Sequence, residues 1–275
     1  MAYAFEHDET VPAGVRRIMD EQLVRAREQL TDAKSPREKR IHNARKRFKE
    51  TRALLRLVRE PLGEHFALEN AWFRDAGRDL ASVRDADAVL EALEKLDLPR
   101  PLHNRVRKKL STGRAEVNLD ELIANTQAQL VIAQGRLGLW PDVDDSFDTL
   151  APGLQRTYRD GRRALKRADS PEELHEWRKH VKTHWYHAQL LRHVWPEMMK
   201  SYAAVLEELS HALGDHHDLH VLHDAVPDAP QELLDAIDTG QHELERRAHE
   251  IGNRVYAERP PLFTARMEKL WAAWR

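Results

Sequence analysis

Apolar residues recur along most of this chain at positions i, i+3, i+4 and i+7, and no convincing run alternates residue by residue as a strand would. Val15, Ile18, Met19, Leu23, Ala26 and Leu30 mark a first helix from about Pro12 to Ala33, with Pro12 suited to the opening turn. Ser35-Pro36 is expected to cap and open a second helix, which ends near Pro61-Leu62-Gly63. A third, from about Glu64 to Leu80, turns Phe66, Trp72, Phe73 and Ala76 inward. Ser82-Val83-Arg84-Asp85 reads as a tight turn capping a short helix to Leu96. A long helical segment then runs from Leu102 to Leu137, with Ser111-Thr112-Gly113 a candidate break.

The second half replays this plan. Trp140-Pro141-Asp142-Val143-Asp144-Asp145 is the best boundary, dividing the chain into bundles at 1–140 and 141–275. Helices are predicted from Phe147 to Arg167, Pro171 to His193 and Met198 to Leu213. Gly214-Asp215 is expected to turn the chain before a short helix to Val226, with Asp218 as its N-cap, in the place Asp85 holds in the first half. Helices from Asp228 to Tyr256 and from Pro260 onward complete an all-α chain of two similar bundles, in which the tryptophans read as core.

One stretch occurs twice. His42-Asn43-Ala44-Arg45-Lys46-Arg47-Phe48-Lys49 aligns with His175-Glu176-Trp177-Arg178-Lys179-His180-Val181-Lys182, and the same ungapped shift pairs Arg59 with Arg192, Leu80 with Leu213 and Asp85 with Asp218. Such a self-match marks an internal duplication. The shared residues are His42/His175, Arg45/Arg178, Lys46/Lys179 and Lys49/Lys182, which project from one side of a helix over roughly 10 Å of axis. Ile41, Ala44, Phe48, Leu55 and Val58 in one copy, and Leu174, Trp177, Val181, Ala188 and Leu191 in the other, form an adjoining apolar seam. Each helix therefore docks by one face and presents a cationic one.

Arg52 and Arg56 extend the first stripe, whereas Trp185 and Gln189 stand at their places in the second. His180, His184 and His187 are candidates to replace the missing cations. Aligning the preceding helices at their Ser-Pro pairs matches Arg27 with Arg162, which could reach the same groove. Like charges stacked at i,i+4 repel, and a resident anion relieves that cost.

Composition sharpens the picture. The 275 residues carry 44 Lys and Arg against 46 Asp and Glu, a net charge of −2. The stripes are thus focused cation in a nearly neutral protein, unlike the general basic excess of many nucleic-acid binders. The absence of cysteine excludes disulfides, thiolate zinc sites and cysteine nucleophiles. No signal-like opening or long apolar run is found, so a cytoplasmic protein with no membrane partner is expected. No glycine-rich phosphate loop or paired-carboxylate constellation points to catalysis, and no cofactor is called for.

The two basic helices resemble the signature helices of the CHAD family, the conserved histidine α-helical domain. Leu80…Arg84-Asp85-Ala86-Asp87 and Leu213-Gly214-Asp215-His216-His217-Asp218-Leu219 are similar to its paired turn motifs. Tyr158…Gly161-Arg162 and Arg254-Val255-Tyr256-Ala257-Glu258-Arg259-Pro260 fit its second-half patterns. The resemblance implies two four-helix-type bundles related by a pseudo-two-fold around a basic central groove. It also implies binding of inorganic polyphosphate without an established catalytic activity, from which recruitment to polyphosphate granules would follow. On that reading His42, Arg45, Lys46, Lys49, His175, Arg178, Lys179 and Lys182 are the principal contacts, joined by Arg52, Arg56, Arg27 and Arg162. A nearby phosphate should raise a histidine pKa, so mild acidification should strengthen binding.

Two alternatives stand beside it. His216-His217-Asp218 superficially resembles the core of an HD-type metallophosphohydrolase, and His216, His220 and His223 have helical spacing compatible with a divalent ion. A general polyanion or nucleic-acid binder is the other, although few aromatics accompany the stripes where bases could stack.

Overall fold

The computed structural model describes residues 3–80, 85–110 and 119–275, and among these there are only helices and loops. Twelve α-helices follow in order: α1 (Val11–Thr31), α2 (Arg37–Leu57), α3 (Arg59–Leu62), α4 (Glu64–Asp79), α5 (Asp85–Glu94), α6 (Arg100–Leu110), α7 (Leu119–Arg136), α8 (Ala151–Leu165), α9 (Pro171–Leu190), α10 (Pro196–Ala225), α11 (Gln231–Val255) and α12 (Pro260–Trp274). The all-α expectation holds. The proposed turn at Ser82 and the break at Ser111-Thr112-Gly113 lie outside the described residues.

Local chemistry explains most of the boundaries. Pro152, Pro171, Pro196 and Pro260 stand in first turns, where a missing N–H costs nothing. Ser170 caps α9 by accepting from Glu173 N at 3.3 Å. Ser35 does not do the same for α2, whose N-cap position falls on Pro36 without a side-chain cap.

The principal correction is at α10. No turn forms at Gly214-Asp215; the helix runs unbroken for 30 residues, and Asp218 lies within it rather than at a cap. Gly214 is there for space: a Cβ at this position would stand 3.1 Å from the Arg178 Nε on α9. The glycine thus lets a guanidinium lie against a helix backbone.

The main core gathers Phe48, Leu54, Tyr158, Trp177, Leu206 and Phe263, drawn from α2, α8, α9, α10 and α12, with Phe5 of the N-terminal lead. A smaller core joins Leu93 of α5, Val106 of α6, Leu222 of α10 and Ile237 of α11. Both clusters draw on residues from either side of Trp140. The central contact for function is between α2 and α9, the two repeated segments, which pack directly on one another. Six tryptophans are buried or partly buried, but Trp195 at the start of α10 is 49% exposed and is not core.

Candidate functional site: a cationic cleft between α2, α4 and α9

The apolar seam positions the stripes. Ile41, Ala44, Phe48 and Leu55 on α2, and Leu174, Trp177 and Val181 on α9, are buried, so the residues beside them are held at the margin of the interface. There a cleft of about 520 Å³ opens. Arg45, Lys49, Arg52 and Arg56 of α2 line one wall, and His175, Arg178, Lys179 and Lys182 of α9 the other. Arg74 and Arg78 of α4 complete the enclosure, while Phe48, Phe73, Thr183 and Tyr186 contribute to its lining. Among the described residues no carboxylate lines it.

Three of these cations, Arg52, Arg56 and Lys182, meet neutral partners. Arg52 Nε donates to Asn70 Oδ1 at 3.1 Å, and Arg56 Nη1 donates to Thr183 Oγ1 at 2.9 Å. The Lys182 ammonium sits 3.9 Å from the centre of the Trp185 ring and 5.6 Å from that of Tyr186, a cation–π arrangement. At the rim Lys179 pairs with Glu176, and Arg74 engages Asp75 through two hydrogen bonds of 2.8 and 3.0 Å.

The consequence is electrostatic strain. Burial, and then the neighbouring Arg56 and Arg74, bring Arg52 down to about 10. Burial lowers Arg56 as well. Lys182 falls to about 8, chiefly by burial, then by Arg178, with Lys46 adding to it and Glu207 and Glu50 opposing. His175 is lowered by burial and by Lys179 and Arg178. Every one of these shifts disfavours the cation, and an anion in the cleft would reverse them.

Eight of the twelve residues singled out from the sequence therefore line one cleft. The other four do not. His42 is exposed on α2 outside the lining, and Lys46 is half-buried beside it, close enough for its charge to act on Lys182 and Glu50. Arg27 lines a separate groove between α1 and α7 and donates to Gln134 Oε1 at 3.3 Å. Arg162 donates to the Tyr256 carbonyl at 3.0 Å. Arg74 and Arg78 were missed: their i,i+4 spacing is visible, but nothing in the periodicity says that α4 packs beside the stripe of α2.

His184 and His187 do not replace missing cations. His184 is buried, with Tyr202 hydroxyl 3.1 Å from its Nε2 and Tyr256 hydroxyl 3.4 Å from its Nδ1, and burial pushes it down to about 3. His187 has its Nε2 2.9 Å from the Ala53 carbonyl, and burial brings it to about 4. Both are neutral core groups. His180 is half-buried, lowered by burial, and does not line the cleft.

Among the described residues no group of three or more histidine or acidic side chains is placed to hold an ion. His216 is buried; His220 lies 3.7 Å from Asp224 and 3.9 Å from Glu172, and His223 lies 3.4 Å from Asp224. His217 packs against His175, ring centres 3.9 Å apart and tilted by 41°, and burial together with His175 and Arg178 brings it to about 4. Asp218 is raised by burial, against the lowering effect of Arg178 and Lys95. Nor is any helix of the described residues long and apolar enough to cross a membrane.

Comparison with known proteins agrees with this architecture. Comparison with curated proteins gives no match. The crystal structure of the CHAD domain from the plant Ricinus communis is similar over 94% of this chain and 95% of that one, at a TM-score of 0.58 and 17% identity, a likeness of fold. Residues 17–227 match the family described as CHAD domain, a span that includes α2, α4, α9 and all of α10. This chain belongs to the CHAD domain family.

Proposed function

We propose that this protein binds inorganic polyphosphate, holding the chain in the cleft between α2, α4 and α9. The observation that carries the reading is the convergence of nine Lys and Arg side chains on one cleft whose lining, among the described residues, includes no carboxylate. A linear polymer with a charge on every phosphate suits rows of cations on facing helices. Arginine offers a planar fork to phosphoryl oxygens and lysine a mobile point charge. The same ligand offsets the burial, and after it the mutual repulsion, that depress Arg52 and Lys182. The role is one of binding rather than catalysis, and its consequence in the cell is recruitment to polyphosphate granules.

Calorimetric titration with long-chain polyphosphate at two salt concentrations tests this, with duplex DNA and orthophosphate as competitors. The expected result is tight, salt-sensitive binding of polyphosphate and weak binding of both competitors. Equal affinity for DNA would make the cleft a general polyanion site, and no binding would remove the assignment.

A further inference from the structure

Helix α7 stands apart in a chain that is 33% charged: from Leu122 to Gly135 it carries no Asp, Glu, Lys or Arg. One of its faces, Ile123, Thr126, Leu130 and Ala133, is buried. The opposite face, with Ala124, Ala128, Val131 and Ile132, is open to solvent. Val131 is 49% exposed, Ile132 60%, and Leu139 in the turn that follows 72%. Three of the seven large apolar side chains exposed among the described residues thus fall on this one element, which makes them a patch rather than scatter. A helix that is apolar on both sides is ordinarily covered on both. Beside the open face runs the groove between α1 and α7, of about 610 Å³, whose charged lining is one cation, Arg27, and one anion, Glu28.

We propose that this face is a self-association surface, on which a second copy of this chain seats the same face about a two-fold axis near Ala128. The inference is independent of the polyphosphate reading, because the cationic cleft lies on other helices. Shape and charge both suit a copy of the chain itself. In a two-fold contact residue i of one copy meets residue j of the other, and j meets i. Antiparallel α7 helices centred on Ala128 set each Ala124 against the other copy's Ile132, a small side chain opposite a large one. Arg27 and Glu28 line the groove with Ala128, so each Arg27 meets the other copy's Glu28 and the contact carries no net charge. An anionic polymer or a strongly basic partner would find no excess of opposite charge here. The face is two helices wide and one α7 long, roughly 20 by 27 Å, or about 1,000 Å² over two copies, at the lower limit for a specific interface. The dimer is therefore weak and concentration-dependent.

Sedimentation velocity of the intact chain over a range of roughly 1 to 200 µM tests this, with circular dichroism to confirm that each variant is folded. The wild type is expected to pass from monomer to dimer across the series. Ile132→Glu, at an exposed position that the fold does not need, should weaken association at least about ten-fold. Val205→Glu, at an exposed apolar position on α10, should leave it unchanged. Arg27→Glu should weaken it by setting like charges face to face, and adding Glu28→Arg should restore it. A wild type that stays monomeric throughout would overturn the proposal and leave the face to a different partner. A dimer that persists undiminished in folded Ile132→Glu would overturn it as well, since the contact would then lie elsewhere.

Discussion

The Arg56 guanidinium on α2 donates 2.9 Å to the Thr183 hydroxyl on α9, which in turn donates 2.9 Å to the Lys179 carbonyl. One half-buried cation thereby ties the two repeated helices together, with no carboxylate paired to it among the described residues. Taking a charge out of water for neutral partners is costly, and such a feature persists when function requires it. Replacing Arg56 with Met should therefore leave the melting temperature unchanged or raised while weakening polyphosphate binding by about ten-fold or more. Thermal unfolding and calorimetry of the same sample check both halves of the statement.

The contact between Arg178 and Gly214 gives a sharper test of geometry. A Gly214→Ala change should stabilise α10 by up to about 1 kcal/mol through helix propensity. Its Cβ would nevertheless crowd Arg178 Nε and Nη2, 3.1 and 3.2 Å away, and displace the guanidinium from its seat. Binding should fall without loss of fold. Gly153→Ala should behave oppositely, because its Cβ would land on the Leu57 carbonyl oxygen, which is backbone and cannot move aside. That variant should lose stability by roughly 2 kcal/mol or more, as urea unfolding of the pair would show.

Acidity should act on stability and on binding in opposite directions. His187 has a folded pKa of about 4 against an ordinary 6.5, so the unfolded chain takes up the proton first. Its favourable contribution, of the order of 3 kcal/mol, is fully present above the unfolded value and is lost as pH falls through the folded one. Melting temperature should drop between these limits, less steeply in His187→Gln. Binding has the reverse sign. An anion beside His175, whose pKa burial and Lys179 hold down, raises that pKa and takes up a proton. Polyphosphate affinity should rise with mild acidification in the range where the fold persists, and less so in His175→Gln.

Much of this was legible in the sequence because helical spacing fixes which residues share a face. Arg45, Lys49, Arg178 and Lys182 were found in this way, as was the apolar seam through Phe48 and Trp177. What spacing cannot show is which helices become neighbours. Arg74 and Arg78 enter only because α4 lies against α2, and Arg27 and Arg162 fall elsewhere although their helices align. Gly214-Asp215 misled for a different reason: glycine there leaves room for Arg178 within a continuous helix, whereas in a sequence the same residue reads as a turn. The histidines of α9 misled similarly, since burial at His184 and His187 removes the charge that their spacing suggested.

The most direct measurement compares the wild-type chain with a Lys49→Glu, Lys179→Glu double variant by calorimetric titration with long-chain polyphosphate. Both side chains are exposed, stand on opposite walls of the cleft and belong to neither core, so the fold should survive, as circular dichroism would verify. The account predicts salt-sensitive binding by the wild type and a loss of about a hundred-fold or more in the folded variant, from two cations removed and two anions introduced. Undiminished affinity in a folded double variant would contradict it.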